Sequence, residues 1–215
     1  MAQKLASWRG HAGVKSAADC FLCDFGAVLR RRLEIIDTPL DGLKVLQRFS
    51  IGDSRGYLER LYCTAELKKL LCGKSIVQIN HSHTLRRGSV RGLHYQRSPD
   101  AEIKVVSCIN GAVFDVAVDL RRGSPTFLRW HGEVLTPGNH RSLFIPEGFA
   151  HGFQSLTDDA EMLYFHSHEY VPSSERGVNV LESKLNIQWV EAITDISTRD
   201  ANMPFLEADF TGLTL

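Results

Sequence analysis

Apolar and polar positions alternate with a period of two through much of the middle of this chain, which is the period of β-strands. Ala112, Phe114, Val116, Val118 and Leu120 alternate with Val113, Asp115, Ala117 and Asp119. The preceding run, Ile103–Cys108, leads to Asn110-Gly111, a dipeptide that favours a tight two-residue turn. This pattern predicts a hairpin over Val105–Leu120, with Lys104 opposite Ala117 and Val106 opposite Asp115. Lys104 and Asp115 would then share a face, as a surface ion pair or as the lining of a polar interior. Periodicity alone favours the surface pair. Further strands are predicted at Phe127–Leu135, His140–Ile145 and Met162–His168. The clearest helix is Thr64–Leu71, with Leu67, Leu70 and Leu71 on one face and Gly73 to stop it. Short strands punctuated by Gly, Pro and Asn, with a single clear helix, predict an all-β barrel or jelly roll.

A length of 215 residues suits one domain with a sizeable core. The strand pattern starts at Ile35, so residues 1–34, with Arg30-Arg31-Arg32, are expected to be an N-terminal extension to a barrel over residues 35–215. Twenty-five basic and 25 acidic residues cancel, which argues against broad nucleic-acid or membrane-surface binding. No apolar run approaches the roughly 20 residues needed to cross a bilayer. A cytoplasmic location is expected. Five cysteines form an odd, scattered set for which reduced thiols are the plain reading. Cys20-x-x-Cys23 is half of a zinc motif and lacks a second pair at zinc-finger spacing.

Two segments carry candidate chemistry. Arg91-Gly92-Leu93-His94-Tyr95-Gln96 sets a histidine among polar neighbours, and His151 follows within Ile145–Phe153. A histidine titrating near about 6.5 and a tyrosine near about 10 suit proton transfer at neutral pH. His81-x-His83 and His166-x-His168 have the alternate spacing that sets two imidazoles on one strand face, as metal sites do. The sequence places no carboxylate near either pair, and hydrogen-bonded or solvent-facing rings are the plain reading of His83, His166 and His168. No glycine-rich phosphate loop, nucleophile elbow or dinucleotide fingerprint is present.

The segments Arg91–Gln96, Lys104–Val106, Gly111–Asp119, Ser124–Phe127, Ile145–Phe153, Tyr164, Tyr170–Glu175 and Arg199-Asp200 resemble, in order, the dTDP-4-dehydrorhamnose 3,5-epimerases. The resemblance runs from about Ile35 to Leu206. It implies a cupin-type jelly-roll barrel with a few short peripheral helices, working as a homodimer without metal or other cofactor. The implied substrate is a nucleoside-diphosphate-linked 4-keto-6-deoxy sugar, inverted at C3, C5 or both through an enolate. By position, His94 is expected to be the base, Asp200 its orienting partner, Tyr164 the acid and Lys104 the cation on the enolate oxygen. Asp115 is expected to hold Lys104 or His94, which replaces the surface-pair reading. Arg55, Tyr57, Gln78, Asn80, Ser82 and Arg91 are expected around nucleotide and sugar, with Tyr170 stacked beside them and His151 in the pocket wall.

The chain departs from the family pattern in four places. Leu128 stands where a glycine usually follows Ser-Pro-Thr-Phe, and Asn179–Glu182 replaces a Trp-Asn-Asp. Both changes are expected to alter the pocket wall. Arg199 precedes Asp200 where lysine is preferred, and residues 1–34 have no counterpart in short members. A keto-sugar isomerase or dehydratase on the same barrel, a non-catalytic sugar-nucleotide binding cupin and a metal-dependent cupin are the alternatives. Residues 91 and 94 pose a geometric problem, because simple alternation points them to opposite faces. Either a bulge re-aims one of them or Arg91 serves a neighbouring pocket across a dimer interface.

Overall fold

The computed structural model describes residues 32–215. Residues 1–31, with Cys20 and Cys23, lie outside the described part. The chain forms β1 (Leu33–Asp37), β2 (Lys44–Arg48), the small hairpin β3 (Ile51–Asp53) and β4 (Gly56–Leu58), then α1 (Thr64–Leu71). There follow β5 (Gln78–Thr84), β6 (Ser89–Gln96), β7 (Lys104–Asn110), β8 (Val113–Asp119) and β9 (Trp130–Leu135). The remainder is β10 (Arg141–Ile145), β11 (Phe149–Ser155), β12 (Ala160–His166), β13 (Glu175–Gly177), β14 (Asp195–Ile196) and α2 (Thr198–Ala201). One sheet has the order β1-β2-β10-β7-β12-β5, and the other β13-β6-β11-β8-β9 with β14 parallel to β6. This is the expected all-β jelly roll.

Three apolar clusters hold these layers. Val45, Val106, Leu143, Ile145 and Met162 of the first sheet meet Val113, Ala117, Leu135, Phe149 and Phe153 of the second in the barrel interior. The outer face of the first sheet, with Leu46, Val105 and Phe144, is covered by Leu67 and Leu71 of α1. Helix α1 has the predicted bounds, and Leu67 and Leu71 are its buried residues. It ends one residue before the predicted glycine, because Cys72 itself takes the left-handed conformation (φ 49°). The outer face of the second sheet, with Phe114, Val116, Val118 and Leu120, is covered by Val178, Val180 and Leu185 of the C-terminal segment.

The predicted hairpin over Val105–Leu120 does not form. Both strands exist, but β7 pairs with β10 and β12, whereas β8 pairs with β9 and β11. The Asn110-Gly111 turn carries the chain from one sheet to the other. It is tied down by Thr157, whose Oγ1 accepts the Ala112 N–H, and by the Asp159 carbonyl, which accepts from Asn110 Nδ2. Lys104 therefore does not face Ala117, and Asp115 faces Glu133 and Phe153 rather than Val106. The surface reading failed for a related reason. All seven residues of β8 are buried: the face with Val113, Asp115 and Ala117 turns into the barrel interior, and the C-terminal segment covers the opposite one.

The other strands start within three residues of their predicted positions, and β1 begins at Leu33, two residues early. β12 ends at His166, so His168 is not its strand partner.

Candidate active site

A cavity of about 800 Å³ opens between the two sheets. Of the predicted residues, His94, Tyr164, Lys104, Asp200, Asn80, Ser82, Arg91, His151 and Tyr170 line it. β6 delivers Arg91 and His94 to the same cavity by a bulge. His94 pairs with His151 and Arg91 with Phe153, so two residues of β6 oppose Gly152 alone. Added side-chain atoms at Gly92 or Gly152 would collide with the facing backbone, so this crossing requires glycine. The bulge resolves the alternation problem within one subunit. Arg91 is then fixed by Thr84 Oγ1 and the His83 carbonyl, which accept from its guanidinium at 3.0 and 3.1 Å.

His94 Nε2 donates to Asp200 Oδ1 at 2.8 Å, which leaves Nδ1 free to accept a proton. Asp200 comes from the first turn of α2, where Ser197 Oγ caps the helix by accepting the Asp200 N–H. Its second oxygen accepts the Gly92 N–H at 3.1 Å. Burial alone would raise the Asp200 carboxyl. The hydrogen bond and charge of His94, with the Gly92 N–H, hold it below the usual aspartate value instead. The His94 imidazole thus has an ionised partner.

Tyr164 projects from β12 in the opposing sheet and shares a hydrogen bond of 3.1 Å with Ser82 Oγ. Burial pushes its hydroxyl well above the usual tyrosine value, so it stays protonated. Its ring lies edge-on to His151 (6.1 Å, 71°) and stacked on His166 (6.2 Å, 18°). Lys104 is 8 % exposed, and its ammonium reaches the His94 carbonyl at 3.5 Å and Glu102 at 3.2 Å.

Contrary to what the resemblance implied, Asp115 holds neither Lys104 nor His94. It lies beneath the cavity and accepts from His151 Nε2 at 2.8 Å. Gln78 stands behind the wall. Its amide donates to Asn80 Oδ1 and its carbonyl accepts the Tyr170 N–H. Arg55 and Tyr57 are not brought to this cavity at all: they sit on the exposed β3–β4 hairpin, where Arg55 pairs with Asp53.

The lining residues not predicted as site residues include the charged or titratable Glu102, His166, Glu175 and Arg199. Glu102 stands one alternation step before Lys104, and His166 one step after Tyr164, so strand period two would have found both. The Tyr170 hydroxyl donates to Glu175 at 2.6 Å, and Arg199 pairs with the same carboxylate at 2.5 Å. Here the arginine departure has a defined place in the wall. The other two departures do not line the cavity, contrary to expectation. Leu128 takes a left-handed conformation (φ 58°) that explains the usual glycine, and packs into the outer core. Asn179 donates to the Ala201 and Met203 carbonyls at 3.1 Å, which fixes the end of α2 near Asp200.

The paired histidines also find carboxylates that the sequence did not place: His81 with Glu161, His83 with Asp159 and His166 with Glu102. Among the described residues no three His, Cys, Asp or Glu side chains converge on one point.

A base and an acid drawn from opposed sheets, beside a buried cation, suit abstraction and return of a carbon-bound proton. The model of the dTDP-4-dehydrorhamnose 3,5-epimerase family matches residues 37–208. The chain belongs to this family. The epimerase is similar to the dTDP-4-dehydrorhamnose 3,5-epimerase of Shigella flexneri, at 39% identity over 180 residues, 83% of this chain and 99% of the relative. A dTDP-4-dehydrorhamnose 3-epimerase of Streptomyces niveus is 41% identical over 139 residues, 64% of this chain and 67% of its own. Among solved structures, the Legionella pneumophila dTDP-6-deoxy-D-glucose-3,5-epimerase in complex with dTDP-4-keto-L-rhamnose has a TM-score of 0.78 and 37% identity. That match covers 85% of this chain and 99% of the other.

Proposed function

We propose that this epimerase inverts C3 and C5 of a dTDP-linked 4-keto-6-deoxyhexose by proton abstraction and return through enolates. One observation carries the reading: His94 and Tyr164 line one cavity from opposed sheets, so a sugar between them meets a base on one face and an acid on the other. The C4 ketone acidifies the neighbouring C–H bonds. His94 takes the proton at C3 or C5, and the electron pair moves onto the C4 oxygen beside the Lys104 ammonium. Tyr164 then gives its hydroxyl proton to the carbon from the other face and regains one from solvent. Inversion at both centres is supported by the 3,5-epimerase relative, which matches over a longer span than the 3-epimerase.

A homodimer belongs to the same proposal. Arg55 and Tyr57 can meet substrate only if the β3–β4 hairpin enters the cavity of a second copy, and Leu58 beside them is an exposed apolar residue. Free thiols at Cys63, Cys72 and Cys108 suit a reducing compartment, and we place the enzyme in the cytoplasm.

The test of the base is a His94→Ala protein in deuterated water. Its substrate should gain no deuterium at C3 or C5 at a rate within about 10²-fold of the parent enzyme. Exchange at the parent rate would overturn the assignment.

A further inference from the structure

Tyr164 lies between two imidazoles, and each imidazole is tied to a carboxylate. His151 belongs to the resemblance, whereas the Glu102–His166 pair takes no part in the proposed proton transfers. His166 Nδ1 donates to Glu102 Oε2 at 2.7 Å, and the other carboxylate oxygen takes the Lys104 ammonium at 3.2 Å. The pair is nearly closed to solvent, with side-chain exposures of 12 % and 8 %. One carboxylate therefore fixes both the ring stacked on Tyr164 and the cation proposed for the enolate oxygen.

Such a carboxylate works against part of the proposed chemistry. Burial alone would raise the Glu102 carboxyl, yet Lys104 and His166 hold it below the usual glutamate value, so it is ionised at neutral pH. A negative charge this close to the ammonium weakens its field on an arriving oxyanion. Its compensating contribution must be geometric. Among the described residues Ser82 is the one hydrogen-bond partner of the Tyr164 hydroxyl, and the ring is set by the apolar core, by His151 at its edge and by the His166 ring stacked on it.

We infer that Glu102 and His166 are positioning residues that hold the acid Tyr164 and the cation Lys104 in register with each other. The inference rests on the proposed epimerase chemistry. If it holds, loosening the pair harms proton return by Tyr164 more than proton removal by His94. The enolate still forms, but His94 returns a solvent-derived proton to the face it left. The substrate then gains deuterium without inverting.

The readout is the ratio of deuterium incorporated into uninverted substrate to deuterium in inverted product, measured by NMR in deuterated water. His166→Ala and Glu102→Ala should each raise that ratio about tenfold, since small displacements of a reacting group carry large rate penalties. Glu102→Gln, which can accept from Lys104 and donate to His166, should restore a ratio near that of the parent. A purely structural pair would lower exchange and inversion together and leave the ratio unmoved, which overturns the inference. Should His166→Ala fail to fold, the two Glu102 variants decide the matter by the same ratio. A parent enzyme with neither exchange nor inversion overturns the function itself, a result distinct from an unmoved ratio.

Discussion

His94 and Asp200 stand 106 positions apart in sequence and 2.8 Å apart in space. The contact exists because two local devices meet. The β6 bulge turns His94 toward the cavity, and the Ser197 cap sets Asp200 at the start of a one-turn helix. Asp200→Asn keeps the shape and removes the charge. We expect kcat to fall about 10- to 100-fold with little change in KM, as for other carboxylates that orient an imidazole. Deuterium exchange should fall in step with inversion, because the base step precedes both. Steady-state kinetics with parallel exchange measurements check this, and inversion lost with exchange kept would contradict it.

Arg55 and His94 offer a test of the proposed dimer and its shared site. Arg55→Ala and His94→Ala proteins should each be nearly inactive alone. Mixed under conditions that let subunits exchange, half of the dimers pair one copy of each, and one of their two cavities has an intact base and an intact partner hairpin. Activity should return to about a quarter of the parent value. If Arg55 acted within its own subunit, mixing would restore nothing.

Much of this arrangement could be read from the residues, and the exceptions have physical causes. Alternation along Val113–Asp119 found the strand but not its neighbours, because local period says nothing about which sheet a strand joins. A turn dipeptide such as Asn110-Gly111 bends the chain equally well between sheets. The His94–Asp200 pair came from family resemblance rather than from pattern, since no local signal links a bulged strand to a distant helix cap. Glu102 and His166 were within reach of simple alternation from Lys104 and Tyr164. Sequence spacing offers His166 as a metal candidate or a hydrogen-bonded ring, and nothing local shows that its partner is Glu102, 64 positions away. Arg55 and Tyr57 mark where one chain's own fold stops being sufficient, as the proposed dimer would explain.

Asp119 carries a stability prediction. Its carboxylate accepts from Arg121 at 2.7 Å, from Thr126 at 2.6 Å and from Ser124 at 2.5 Å. Burial would raise its pKa, yet these donors hold it below the usual aspartate value of 3.8. A carboxyl depressed in the folded state contributes its full stability above the unfolded value and loses it as pH falls through the folded one. Asp119→Asn should therefore cost about 3 kcal/mol at pH 7, where it leaves Arg121 without its buried partner. The difference between the two proteins should persist down to about pH 4 and shrink below it. Urea unfolding at a series of pH values measures this, and a gap that ignores pH would contradict it.

The most direct test is proton NMR of the enzyme with dTDP-4-keto-6-deoxyglucose in deuterated water. The proposed chemistry predicts loss of the C3 and C5 proton signals and the appearance of dTDP-4-keto-rhamnose carrying deuterium at both carbons. The CDP- and GDP-linked analogues should react more slowly. Deuterium at neither carbon, or product formed with both original protons retained, would contradict it.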